Sequence, residues 1–416
     1  MSNDIQLKKH NLSLIYGDIR KDTESICSRL ELDDFQIQSI VETSPPKWHI
    51  AHVSWFFETF VLSQYSSHYR VFHPQFAYLF NSYYETVGSM QPRAKRGLLS
   101  RPTLEDVLSY RSYVDSHMQE LIETINEDVW QEFEFRVTLG LNHEQQHQEL
   151  LLMDIKHNFF NNPLRPAYIK KIKIQPSTFE ELQWIEQSGG IIEMGSDANT
   201  FCFDNETPRH KALISDHSLS TRLINNSEYL EFIQDNGYSR AEFWLADGWY
   251  HIQQEKWDYP LYWEKQENDW SIFTLAGMKN LDPYEPVSHI SFYEADAYAR
   301  WAGKRLASEA ELENQLSNAP VEGNFLDLTI LHPKVSNPHT YGDLWQWTGS
   351  PYSPYPNFKP LAGSMGEYNG KFMCNQMTLR GGSCVTSQNH IRSTYRNFFY
   401  PHNRWQFAGI RLADNL

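Results

Sequence analysis

The chain has 416 residues, room for two domains, and its 40% hydrophobic and 14% aromatic content can fill the cores of both. Its 36 basic against 52 acidic side chains leave a formal charge of −16, with no basic stripe to displace counterions from a nucleic acid or to meet an anionic membrane. MSNDIQLKKHNLSLIYGD at the start lacks the apolar core of a secretory signal, ELLLM at 149–153 is too short to span a bilayer, and the four cysteines have no CxxC or other framework spacing, so the cytoplasm is the expected compartment.

Residues 1–165 read as a helical domain. Leu12, Tyr16, Ile19, Thr23, Ile26 and Leu30 step by three and four, the period of a helix with one buried face. In SPPKWHIAHVSWFFETFVLSQY, Ser44 can cap, Pro45 and Pro46 suit a first turn, and an aromatic helix follows. A long connection, RVFHPQFAYLFNSYYETVGSMQPRAKRGLLS, comes next, and such loops in compact domains are often functional. Thr103 and Asp106 form an acidic variant of the capping box for a third helix, whose stripe is Leu104, Val107, Val114, Met118, Leu121 and Ile125. A fourth helix is predicted from about Val129 to Phe159. Four amphipathic helices make a bundle the economical architecture. From 166 to 416 the texture changes to short β-like runs, recurrent tryptophans and irregular loops, an α/β domain whose fold periodicity alone does not specify.

The fourth helix carries HEQQH at 143–147. His143 and His147 lie one turn apart on one face, and Gln146 shares it. The same letters occur in zinc peptidases, which need a third ligand. A glycine at 150 and a histidine at 153 would supply one version of it, but the chain has Leu150 and Met153, and the next acidic pair after Asp154 is Glu180 and Glu181. A second source of histidine is KWHIAHVSWFFE. His52 follows Trp48 by four and precedes Phe56 by four, so it falls on the inward, apolar face, where a buried imidazole needs a partner. One histidine from the second helix and two from the fourth would make a three-histidine metal face with open positions, suited to zinc, copper or iron.

These segments together resemble the sulfoxide synthases of ergothioneine biosynthesis. SPPKWHIAHVSWFFE, FNSYYE, PRAKRGLLSRPT and LNHEQQHQELLLMDIKH resemble that family's DinB-like four-helix bundle. GGIIEMGSD, FDNETPRH, PVSHISFYEADAYARWAGKRLASEAELE, LWQWTGSPY, LRGGS and RSTYRN…FAGIRLA resemble its formylglycine-generating-enzyme-type (sulfatase-modifying) domain of C-type-lectin-like fold. The resemblance implies a non-haem Fe(II) and O₂-dependent enzyme that joins a thiol to the imidazole of hercynine, Nα-trimethylhistidine, as a sulfoxide. It implies His52, His143 and His147 as iron ligands, with His49 a neighbour. It also implies Gln146 beside the hercynine imidazole, Asn397 and Phe398 at the hercynine tail, and Arg93 and Arg96 on the carboxylate of the sulfur donor. An aromatic face suits a quaternary ammonium, and an arginine fork suits a carboxylate.

Phe399 stands where some members carry an acidic residue that helps hold γ-glutamylcysteine, and Tyr83 and Tyr84 of NSYYE match the branch that accepts free cysteine. Cysteine is therefore the expected donor, and these two tyrosines the expected catalytic phenols. Formylglycine-generating activity itself would need a cysteine pair after Gly381, Gly382 and Ser383, where the chain has Thr386 and Ile391, with Cys384 alone beside them. Two further readings are a zinc-dependent DinB-like thiol transferase, which would not need the second domain, and a 5-histidylcysteine sulfoxide synthase of the ovothiol pathway. The latter typically carries an added methyltransferase domain, for which no segment is left here, so hercynine is the expected acceptor.

Overall fold

A computed structural model describes residues 3–170, 177–267, 269–334 and 340–416. The chain divides into two compact units. The first comprises Met1–Asn162 together with Leu361–Tyr368, and the second comprises Pro163–Pro360 and Asn369–Leu416.

Four helices build the first unit: α1 (Asn3–Cys27), α2 (Pro46–Phe57), α3 (Leu104–Thr124) and α4 (Trp130–Asn161). α1 and α2 each pack against both α3 and α4, which closes a four-helix bundle. The stripe predicted for α1 buries Leu12, Tyr16, Ile19 and Ile26, and that of α3 buries Val107, Val114, Met118 and Leu121. At the start of α3, Thr103 Oγ1 accepts the Asp106 N–H and Asp106 accepts the Thr103 N–H, as the sequence predicts. α2 is buried over its whole length, as its all-round apolar sequence requires. α4 approaches it closely at Gly140, where a Cβ would meet the Phe57 ring at 2.6 Å.

Ser44 does not cap α2. The helix begins a residue later than expected, at Pro46 after Pro45. The Ser44 N–H is taken by Asp154 Oδ2 at 2.8 Å and its hydroxyl by Arg96 Nη1 at 2.9 Å, so tertiary partners outcompete the local cap. Beyond Phe57 the helix widens into a π turn, Glu58–Leu62. The buried Glu58 carboxylate there accepts Tyr69 Oη at 2.5 Å, Tyr110 Oη at 2.8 Å and the Phe72 N–H at 3.1 Å.

The eight-residue return, Leu361–Tyr368, is pinned to the long loop of the same unit. The Glu367 carboxylate accepts the N–H groups of Glu85 at 3.0 Å and Thr86 at 2.9 Å, and Thr86 Oγ1 donates to Ser364 Oγ at 2.8 Å.

The second unit mixes short helices and short strands. One four-stranded sheet runs in the order Trp184–Gln187, His217–Ser220, Leu412–Asn415, Arg305–Leu306, with antiparallel neighbours throughout. Another runs Asn397–Phe399, Met377–Arg380, Trp345–Pro351, Ala408–Gly409. Leu219, Ala307, Leu312 and Ala413 form a fully buried cluster against the first sheet. Arg380 and Arg396 are buried with Glu309, and Arg380 also with Glu313. Among the described residues, no helix is long and apolar enough to cross a membrane.

Candidate metal centre

His52 lies on α2 with Trp48 a turn before it and Trp55 a turn after, so the three rings stack. Its centroid is 4.5 Å from Trp48 and 5.5 Å from Trp55, with 14° between planes in both pairs. His52 Nδ1 donates to the Phe80 carbonyl at 2.5 Å, which leaves the Nε2 lone pair facing inward. His143 and His147 face it from α4, with ring centroids 4.9 and 4.7 Å from His52 and 4.6 Å from each other. One nitrogen from each of the three lies within 4.8 Å of the others, and among the described residues this is the group of histidine, cysteine and carboxylate side chains arranged to hold a metal.

The donor set fits a divalent transition metal. Burial holds His52 and His147 well below the usual imidazole range and His143 down at about 3, so all three present lone pairs, not charges. His52 Nε2 and His143 Nε2 are 3.2 Å apart. If His143 donates across that gap, its buried Nδ1 is an unpaired acceptor; if it does not, two lone pairs face each other. Nδ1 of His143 finds no hydrogen-bond partner. A cation among the three nitrogens removes the conflict, and three neutral imidazoles are ligands for iron, zinc or copper.

Glu144, the residue a zinc peptidase would use as its base, is fully buried and occupied elsewhere. It accepts Arg20 Nη1 at 2.7 Å, Arg111 Nη2 at 2.8 Å and Thr23 Oγ1 at 2.7 Å. Burial alone would raise its carboxyl, but the two guanidiniums outweigh that and hold it at about 2. It is a structural anion that points sideways from the histidine face of α4 into the Arg20, Arg111 and Thr23 side chains, which removes the peptidase reading.

The expected tyrosines sit in a loop shaped by Asn81, whose Oδ1 accepts the Tyr84 N–H at 3.1 Å and whose amide donates to the Tyr84 carbonyl at 3.0 Å. Tyr84 is fully buried against Trp55 and Phe60, and burial pushes its phenol well above the ordinary range. Half-buried Tyr83 stacks on Tyr84 at 4.6 Å. A third tyrosine, which sequence reasoning missed, comes closer to the ligands. Tyr368, at the end of the return segment, packs edge-on against His143 at 5.5 Å and against Tyr83 at 6.2 Å, and its hydroxyl donates to Gln146 Oε1. No local pattern marks it.

Arg96 is buried, its guanidinium 3.4 Å over the face of Trp48 and so one ring removed from His52. Its hydrogen bonds go to two serine hydroxyls, Ser44 at 2.9 Å and Ser82 at 3.1 Å, and its Nε has no partner. Burial and the neighbouring Arg93 both work against its charge. A guanidinium nonetheless stays charged in a protein, so Arg96 is a buried cation with no carboxylate in direct contact, Asp154 supporting it only at longer range. Arg93 is exposed and donates to the Glu42 carbonyl.

Asn397 and Phe398 belong to the second unit, on the edge strand Asn397–Phe399. Phe398 stacks on Tyr352 at 4.0 Å, and Asn397 Oδ1 accepts the Phe398 N–H at 2.9 Å. Phe399 meets Trp405 edge-on at 5.5 Å. Among the described residues, Cys384, Cys27 and Cys202 are buried and form no disulfide.

A three-histidine cluster able to hold a metal ion, set in a helical bundle and joined in one chain to a unit of short strands and irregular loops, defines a two-part protein with a candidate metal centre. The chain belongs to the sulfatase-modifying factor enzyme 1-like domain family, whose model matches residues 170–325 and 338–416. It is similar to the hercynine oxygenase of Mycolicibacterium smegmatis, at 29% identity over 77% of this chain and 80% of that one. It is also similar to the hercynine oxygenase of Mycobacterium tuberculosis, at 27% over 68% and 72%. Ergothioneine biosynthesis protein 1 of Schizosaccharomyces pombe matches at 28% over 52% of this chain and 28% of its own length.

Proposed function

We propose that the chain is an iron- and O₂-dependent sulfoxide synthase that joins the imidazole of hercynine to the thiol of cysteine in ergothioneine biosynthesis, working in the cytoplasm. The convergence of His52, His143 and His147 within 4.8 Å carries this reading, with the similarity to hercynine oxygenases supporting the substrate. In it, residues 1–165 are a DinB-like iron-binding bundle and residues 166–416 a C-type-lectin-like domain. Fe(II) held by the three histidines would supply the dioxygen chemistry.

The chain's own side chains do the rest. Arg96, a buried cation whose direct partners are hydroxyls, and Arg93 in the same loop take the carboxylate of the donor. Gln146 orients the hercynine imidazole, and its carbonyl is already bonded to the Tyr368 hydroxyl. Tyr368 Oη therefore holds a proton beside both His143 and the acceptor ring. Tyr83 and Tyr84 stand behind it in the same aromatic stack as alternative sources. Asn397 and Phe398 are assigned to the trimethylammonium end by resemblance alone.

The test is to load the protein anaerobically with Fe(II), add hercynine with cysteine or with γ-glutamylcysteine, admit O₂ and weigh the products. A hercynine–cysteine sulfoxide is expected. Failure of both thiols to give an adduct with hercynine overturns the function, and a much larger kcat/KM with γ-glutamylcysteine overturns the donor.

A further inference from the structure

His49 takes no part in the ligand set, yet it is buried between a ligand and a carboxylate. Its Nε2 lies 3.0 Å from Asp154 Oδ2 and its Nδ1 lies 2.8 Å from His147 Nδ1. Both His49 and Asp154 are almost fully enclosed, at 3% and 2% exposure. Asp154 is itself fixed by the Ser44 N–H at 2.8 Å, and it follows His147 by two turns on α4, so it faces the same side.

We propose that Asp154 and His49 form a relay that sets the tautomer of His147 and turns its Nε2 toward the metal. This inference rests on the reading of the three histidines as a metal centre. The logic is one of donors and acceptors. A carboxylate only accepts, so the proton of His49 sits on Nε2. Nδ1 of His49 is then a lone pair and must receive the proton of His147 Nδ1. His147 is left with its lone pair on Nε2, the nitrogen that can ligate. Running the relay the other way would place a proton on Nε2 of His147 and close it to the metal. His52 reaches the same state by donating Nδ1–H to the Phe80 carbonyl. Partners of this kind hold a ligand's ring and raise its basicity. His49 and Asp154 are positioning residues, since neither touches the metal or the reacting atoms.

The test compares the full-length protein with His49→Phe and His49→Gln. Fe(II) affinity is measured anaerobically by competition with a chelator, and the visible d–d bands of the Co(II)-loaded proteins are recorded. Phenylalanine keeps the ring volume but cannot accept the His147 proton, so affinity falls roughly ten- to a hundredfold and the Co(II) bands shift. Glutamine can accept from His147 and donate to Asp154, so it recovers most of the affinity and the wild-type bands. The helical circular dichroism of the metal-free proteins stays that of the wild type. Wild-type affinity and bands in His49→Phe overturn the relay, as does a His49→Gln protein that folds normally but binds as weakly as His49→Phe. If the wild type itself takes up neither metal, the metal reading falls and this inference with it.

Discussion

His143 and Arg96 carry the two conflicts from which the site is read. One is an imidazole with a buried, unpaired nitrogen, and the other a buried cation whose partners are hydroxyls. In the proposed reading, a metal would resolve the first and the carboxylate of the sulfur donor the second. Replacing Arg96 or Arg93 by alanine should therefore raise KM for the thiol far more than for hercynine. A lost charge-assisted contact is worth about 1.5–3 kcal/mol, or roughly ten- to a hundredfold, and equal effects on both substrates would sink the assignment. The phenols make a sharper case. Coupling of sulfur to the ring competes with simple oxidation of the thiol to a sulfinic acid, and a proton delivered at the right place favours coupling. Tyr368→Phe should keep metal and substrate binding yet divert product toward cysteine sulfinic acid. Tyr83→Phe and Tyr84→Phe should do so less, since both stand further back. The ratio of sulfoxide to sulfinate by mass spectrometry orders the three, and an unchanged ratio in all of them rules out a tyrosine donor in this stack.

Helices explain what could be read in advance and what could not. α3 begins at its capping box, and α4 runs within two residues of the predicted limits, because both announce themselves through local chemistry and a 3.6-residue period. The same period put His52 on the face of Trp48 and Phe56, and His143 beside His147. Periodicity does not say what stands opposite a polar residue, so the partners of Glu144, Ser44 and His49 lay beyond it. The Glu144 cluster gives the bundle a measurable dependence. Glu144→Gln leaves Arg20 and Arg111 buried without their anion and should cost about 3–5 kcal/mol in urea unfolding followed at the helical signal. pH should act on the same group. Its carboxyl is held at about 2 in the folded chain, below its ordinary 4.5. The stabilisation is thus whole above 4.5 and drains away as pH falls from there toward 2. Urea midpoints measured down this range should therefore fall more steeply in the wild type than in Glu144→Gln, and parallel curves would contradict the claim.

For the molecule as a whole, the decisive fact is that the first unit is discontinuous. Tyr368 reaches Gln146 across 222 residues of sequence, a pairing that no motif near either residue could signal. Its placement hangs on Glu367, which grips two backbone N–H groups of the loop at Glu85 and Thr86. Glu367→Ala should therefore mimic Tyr368→Phe in product ratio while leaving Fe(II) affinity at the wild-type value, and a normal ratio would show that the return segment is held by other means. The discontinuity also imposes an order in time. All three histidines have been made by the time α4 is complete, whereas the return segment is made about 200 residues later. At a synthesis rate of roughly 5–20 residues per second, that is an interval of some 10–40 s. During it, on the proposed reading, the bundle can form and take up metal before the phenol that would direct its chemistry has been made.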